Sequence, residues 1–196
     1  MKKFILPLLF CLPLLSFIGD DWKEVNAENG IVVYNKDVTG SKFKKSMVKT
    51  TISYGSINHA EQILKDGEGY VHWQPNCGQG KVLHEEKNKV ILYLTFDAPW
   101  PVSDRDLIIE STYKKHNNQL VVTNRCKPNY IPKKEDYVRI TFSESSWIIE
   151  EKKNGSLYIQ NTSHSSPGGN IPSWLLTSTV EDLPLQTLQG FIKQLK

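Results

Sequence analysis

Between Phe43 and Tyr54 polar and apolar positions alternate: Ser46, Val48, Thr50, Ile52 and Tyr54 share one side and Lys45 and Lys49 the other. That period of two predicts a half-buried strand. The β-branched and aromatic run Gly30 to Tyr34 predicts another before it. Lys81 to Glu86 and Lys89 to Asp97 predict an antiparallel pair turning at Asn88. In the second of these, Val90, Leu92, Leu94 and Phe96 stand opposite Ile91 and Tyr93, apolar on both faces, as in a central strand. Asp106 to Lys115, Gln119 to Arg125, Val138 to Glu150 and Ser156 to His164 predict further strands, with turn signals at Asn117-Asn118 and Asn154-Gly155. A helix is expected from a cap at Ser56 or Asn58 to about Asp66, ended by Gly67, and Asp20-Asp21-Trp22 could open another. The period changes at the end. Pro172 suits a first helical position, and Leu185, Leu188, Ile192 and Leu195, with Phe191 beside them, form a stripe at helical spacing. Pro184 is expected to kink or interrupt that helix. Consecutive strands followed by one long amphipathic helix define an α+β layer arrangement.

The first residues read differently. Met1-Lys2-Lys3 is basic, and Phe4 to Ile18 is apolar apart from Ser16 and two prolines, shorter than the roughly 20 residues of a spanning helix. Residues 1–19 are therefore expected to be a secretory signal and 20–196 the folded domain, exported to a periplasm or outside the cell. An uncleaved N-terminal anchor is the alternative, since neither Leu14-Leu15-Ser16 nor Phe17-Ile18-Gly19 forms a complete cleavage signal. With 196 residues and 39% hydrophobic composition, the chain suits one domain with a sizeable core. The net charge of +3 includes Lys2 and Lys3, so the domain itself is nearly neutral. A nucleic-acid partner, which calls for a strongly basic face, is not expected. Cys77 and Cys126 would be free to pair or to remain separate thiols in an oxidising compartment.

Catalytic signatures are absent from the sequence. It holds no G-x-S-x-G, no H-E-x-x-H, no phosphate-binding glycine loop and no C-x-x-C. Gly78-Gln79-Gly80 lacks the third glycine of a dinucleotide fingerprint and reads as a turn. The five histidines, His59, His72, His84, His116 and His164, lie on separate elements without ligand spacing, so neither a metal nor a cofactor is expected.

Three stretches carry a family resemblance: Trp73-Gln74-Pro75-Asn76 followed by Lys81-Val82-Leu83, Pro99-Trp100-Pro101-Val102-Ser103-Asp104-Arg105-Asp106, and Pro167-Gly168-Gly169-Asn170-Ile171-Pro172-Ser173-Trp174-Leu175. In this order and spacing they resemble the StAR-related lipid transfer (START) family. The resemblance implies the helix-grip fold, in which a long C-terminal helix closes a curved antiparallel sheet over a hydrophobic tunnel. It also implies a monomeric lipid-binding protein, not an enzyme, that meets membranes transiently. The competing readings are an enzyme of the wider helix-grip superfamily, a cyclase or hydrolase of a hydrophobic substrate, and an interaction protein whose tunnel has collapsed.

Strand parity from Arg105 places Arg105, Leu107, Ile109, Ser111 and Tyr113 inward. A guanidinium on an apolar face needs an anionic partner. That partner is either a structural carboxylate, with Asp104, Asp106 and Glu144 as candidates, or a lipid head group. Ser111 is small and uncharged where some sterol-carrying relatives resemble one another in placing an arginine, which argues against a sterol-type charged pair. Tyr93, Trp100, Trp174 and Thr177 complete the expected ligand-binding set with Arg105 and Ser111, Trp100 and Trp174 as candidate gates of the tunnel mouth. No catalytic residue is assigned.

Overall fold

Asn29 and Gly30 both take positive φ, 50° and 78°, so the chain reverses within two residues and β1 (Lys23–Glu28) folds back on β2 (Ile31–Lys36). An Asn-Gly pair suits this geometry because its twist matches that of the flanking strands. The segment after Trp22 is thus an edge strand, not the short helix the sequence suggested. The structure, a computed structural model, describes residues 21–169 and 173–196, and of residues 173–181 the backbone alone. The expected signal segment and Asn170 to Pro172 lie outside the described residues, as do the side chains of Trp174 and Thr177.

β3 (Lys45–Ile52) leads to helix α1 (Ile57–Lys65), where the Ser56 hydroxyl accepts a hydrogen bond from the His59 amide at 3.2 Å. Gly67 does follow this helix, but not as a left-handed cap, since its φ is −59°. Its role is close approach. A Cβ there would lie 2.8 Å from the Lys81 carbonyl carbon and the Val82 nitrogen, so only glycine lets the 3₁₀ turn Glu68–His72 begin against the next strand.

That strand, β4 (Cys77–Glu86), pairs with β5 (Lys89–Phe96), which pairs with β6 (Arg105–His116), which pairs with β7 (Gln119–Cys126). The single strand expected over Val138 to Glu150 is divided. β8 (Val138–Arg139) runs parallel to the start of β6, and the chain then turns into β9 (Phe142–Glu151), antiparallel to β7. With β10 (Leu157–Ser166) the order is β1-β2-β3-β10-β9-β7-β6-β5-β4, an open sheet with β8 beside β6. β5 is internal, as its apolar pattern requires.

Helix α2 (Ser173–Gln194) grips one face of this sheet. Leu185, Leu188, Phe191 and Leu195 are buried, and Ile192 packs against them half-buried. The helix continues through Pro184, so of the expected kink or interruption the interruption does not occur, although proline forfeits the hydrogen bond its amide would have made. Phe191 sits 4.7 Å from Trp147 and 5.5 Å from Trp73, centroid to centroid, the centre of the core beneath the helix. Gly190 makes this approach possible, since a Cβ there would run into the Trp73 carbonyl oxygen. The architecture is the helix-grip arrangement.

Candidate functional site: a cavity beneath the helix

Because Phe96 pairs with Arg105, Leu94 with Leu107 and Leu92 with Ile109, the side chains of these pairs share one face of the sheet. It is the face under α2. Leu94, Phe96, Leu107 and Ile109 form one wall of a cavity of about 360 Å³, and Leu183, Pro184 and Thr187 of the helix line it from above. Pockets for small molecules start at about 300 Å³. The wall opposite is uncharged and polar, made of serine and asparagine side chains from β3, β7, β9 and β10. Gln74 Nε2 donates to Thr187 Oγ1 at 3.3 Å, tying the loop after the 3₁₀ turn to the helix at the cavity edge.

Arg105 lines this cavity and is 6% exposed. Its Nη1 donates to the Ser103 carbonyl, whereas Nε is buried with no protein partner among the described residues. None of the three expected carboxylates pairs with it. Asp104 instead accepts the Ala98 amide at 2.8 Å, which closes the loop between β5 and β6. Asp106 projects to the other face and is held by Arg139, Nε to Oδ1 at 2.7 Å and Nη2 to Oδ2 at 2.9 Å. Glu144 stands opposite Arg125 on the outer face. Among the described residues Arg105 has no carboxylate within salt-bridge distance, and burial lowers its pKa.

The remaining expected ligand-binding residues are spread. Ser111 does face inward and is 1% exposed, but it lies beyond the cavity, its Oγ without a protein partner. Tyr93 lies outside the cavity altogether. It pairs with Ile108, so it shares the outer face with Ile91 and Ile108, under a loop whose Lys134 Nζ sits 4.4 Å from its ring centroid. Burial pushes its phenol up to about 12. The reason is parity: where Leu92 and Leu94 turn inward, Tyr93 cannot. Trp100 is 92% exposed, at the tip of a loop whose Asp97, Ala98 and Pro99 line the cavity, so it stands at the rim and not in the wall. The sequence reading missed Trp73, Phe96 and the polar wall. The alternation Ser143, Ser145, Trp147 on β9 and Asn161, Ser163, Ser165 on β10 carried that signal.

Cys77 and Cys126 are both free thiols. Burial pushes Cys77 up to about 11 and raises Cys126, so both favour the unreactive thiol at neutral pH. No group of three histidine, cysteine or acidic side chains is placed to hold a metal among the described residues.

Fold and cavity together define a hydrophobic-ligand-binding domain of helix-grip type. The sequence model of the START domain matches residues 18–196, and the chain belongs to that family. It is 33% identical over 174 residues, 88% of this chain and 86% of the relative, to an uncharacterized protein of Pseudomonas aeruginosa. Its fold is similar to that of a STAR-related lipid transfer protein from Xanthomonas axonopodis, with a TM-score of 0.83, 29% identity and coverage of 90% of this chain and 99% of that one. Human StAR-related lipid transfer protein 5 shares the fold at a TM-score of 0.78 and 15% identity, covering 90% of this chain and 86% of that one.

Proposed function

We propose that this domain is a non-enzymatic carrier that encloses an amphipathic lipid under α2, holds its anionic end at Arg105 and moves it across an aqueous compartment. The observation that carries the reading is a buried guanidinium in a cavity wall with no described carboxylate within salt-bridge distance. An ion in such a place is costly unless an anion reaches it. Enclosure would hide the apolar part of the lipid from water at roughly 25 cal/mol per Å². The loop bearing exposed Trp100 stands where a mouth would open against a membrane. The described ionisable lining is limited to Lys44, Tyr70, Asp97 and Arg105, which favours a carrier over a cyclase or hydrolase needing a paired acid and base.

Arg105→Leu tests this. In the delipidated protein the change removes a buried charge and leaves no described acid unpaired, so the melting temperature should hold or rise. Affinity for anionic lipids should fall about tenfold or more, as expected for loss of a charge-assisted contact, with neutral lipids little affected. A large drop in stability of the delipidated protein with unchanged anionic-lipid affinity would reject the anchor role.

Export is part of the proposal. Deletion of Met1 to Ile18 should leave a folded domain inside the cell, because it removes an apolar leader and no core strand. Localisation of the truncated protein by fractionation checks this, and export at the full-length rate would refute the signal.

A further inference from the structure

Part of the polar wall is one row set by strand register, with Ser143, Ser165 and Asn161 on the inward rows to either side. Asn35 of β2 pairs with Ser46 of β3, Ser46 with Ser163 of β10, Ser163 with Ser145 of β9, Ser145 with Asn124 of β7, and Asn124 with Ser111 of β6. Cross-strand partners project to the same face, so the row crosses the inner face of the sheet from one strand to the next. On the neighbouring inward row, Val33, Val48, Trp147 and Val122 are core residues, with Asn161 of β10 between Val48 and Trp147 donating to the Ser146 carbonyl at 3.2 Å. A polar row beside such a core is an expensive arrangement unless something hydrogen-bonds to it.

Four of its members, Ser46, Ser163, Ser145 and Asn124, line the cavity. They do not satisfy one another fully. Ser46 and Ser163 approach at 3.4 Å between hydroxyls, and Asn124 Nδ2 donates to Ser145 Oγ at 2.9 Å. Asn124 Oδ1 is left buried with no protein partner among the described residues, on a side chain 7% exposed. The residue lines the cavity, and its amide oxygen is an acceptor without a donor among the described residues. Arg105 marks the other end: Asn124 stands opposite Ser111, and the six-residue step from Ser111 to Arg105 along β6 spans roughly 20 Å at about 3.4 Å per residue. Beside the row on the same face are Leu94, Leu107 and Ile109, which with Leu183 of the helix offer hydrocarbon contact only.

We propose that the cavity selects an acidic amphiphile carrying hydroxyl groups toward the far end of its hydrocarbon body, with the anionic end at Arg105 and a hydroxyl donating to Asn124 Oδ1. This specifies the ligand class of the carrier reading and rests on it. A plain acyl chain laid against the serine and asparagine row strips those groups of water and returns no hydrogen bond. A hydroxylated chain replaces the water it displaces, while its hydrocarbon packs on the leucine and isoleucine side chains beside the row. Selection therefore comes from the hydroxyl, and the charge sets orientation.

The test is titration of delipidated protein with stearate, with 16,17-dihydroxystearate, whose hydroxyls stand roughly 20 Å from the carboxylate as the Arg105-to-Ser111 span requires, and with the methyl ester of that diol. The diol acid should bind wild type about tenfold more tightly than stearate, the margin of one good buried hydrogen bond, and the ester should lose affinity through loss of its charge. In Asn124→Leu, verified as folded by a cooperative melt, the diol should fall to the stearate level while stearate stays within about twofold. Ser163→Ala, a smaller change in the same row, should narrow the preference if Asn124→Leu does not fold. Equal binding of stearate and the diol to wild type would overturn the hydroxyl selection while leaving the carrier reading intact, as would a preference that survives in folded Asn124→Leu. Binding of none of the three probes to wild type would overturn the carrier reading and this inference with it.

Discussion

Arg139→Leu should destabilise the folded domain by about 3–5 kcal/mol, the usual cost of removing one partner from a buried ion pair. Both side chains of the Arg139–Asp106 pair are 1% exposed, and the pairing is a two-pronged fork at 2.7 and 2.9 Å. The same guanidinium donates to the carbonyls of Pro128, Ile131 and Pro132, so its loss also frees the loop that covers Tyr93 on the outer face. The hydrogen bond to Asp106 raises the Arg139 pKa, and the cation stays charged throughout the accessible range. Urea unfolding measures the effect. Adding Asp106→Asn to Arg139→Leu should recover part of the loss, because the uncompensated carboxylate is removed. An unchanged midpoint in Arg139→Leu would show that the pair does not hold β8 against β6.

Leu188→Asp should also cost several kcal/mol, through a different mechanism. Leu188 is fully buried in the centre of the core with Phe191 and Trp73, and an aspartate there would be an unpartnered carboxylate among apolar side chains. Loss of the helix from the sheet would also open the cavity, since Pro184 and Thr187 of the same helix line it. Thermal melting and binding of an apolar fluorescent probe report the two consequences together. An unchanged melting temperature would mean that α2 does not close the fold.

The strands and the gripping helix were legible because alternation and helical spacing are local signals, carried by runs such as Phe43 to Tyr54 and Leu185 to Leu195. Arg105 was legible for the same reason: its parity with Leu107 and Ile109 follows from their being two and four residues away on one strand. Its lack of a described carboxylate was not. Asp106, adjacent in sequence, belongs to Arg139, which lies 33 residues further on and is brought back by the parallel pairing of β8. Tyr93 was misplaced because a strand apolar on both faces gives no parity cue; only the register with Ile108 decides its side. The polar wall left only a partial signal on single strands, the alternation Ser143, Ser145 on β9 and Asn161, Ser163, Ser165 on β10. Such side chains are ordinary on a solvent face, and it is the cross-strand register that lines them up inside with Ser46 and Asn124. Cys77 and Cys126 left both outcomes open in the sequence, and the fold keeps them apart as free thiols.

Native mass spectrometry of the protein expressed from its full-length sequence and recovered from its own compartment tests most directly whether the cavity under α2 is a lipid site anchored by Arg105. The account predicts a one-to-one complex with an acidic amphiphile, and loss of that bound mass in Arg105→Leu prepared alongside. A wild-type mass equal to the polypeptide alone, unchanged after incubation with a lipid extract from the same cells, would contradict it.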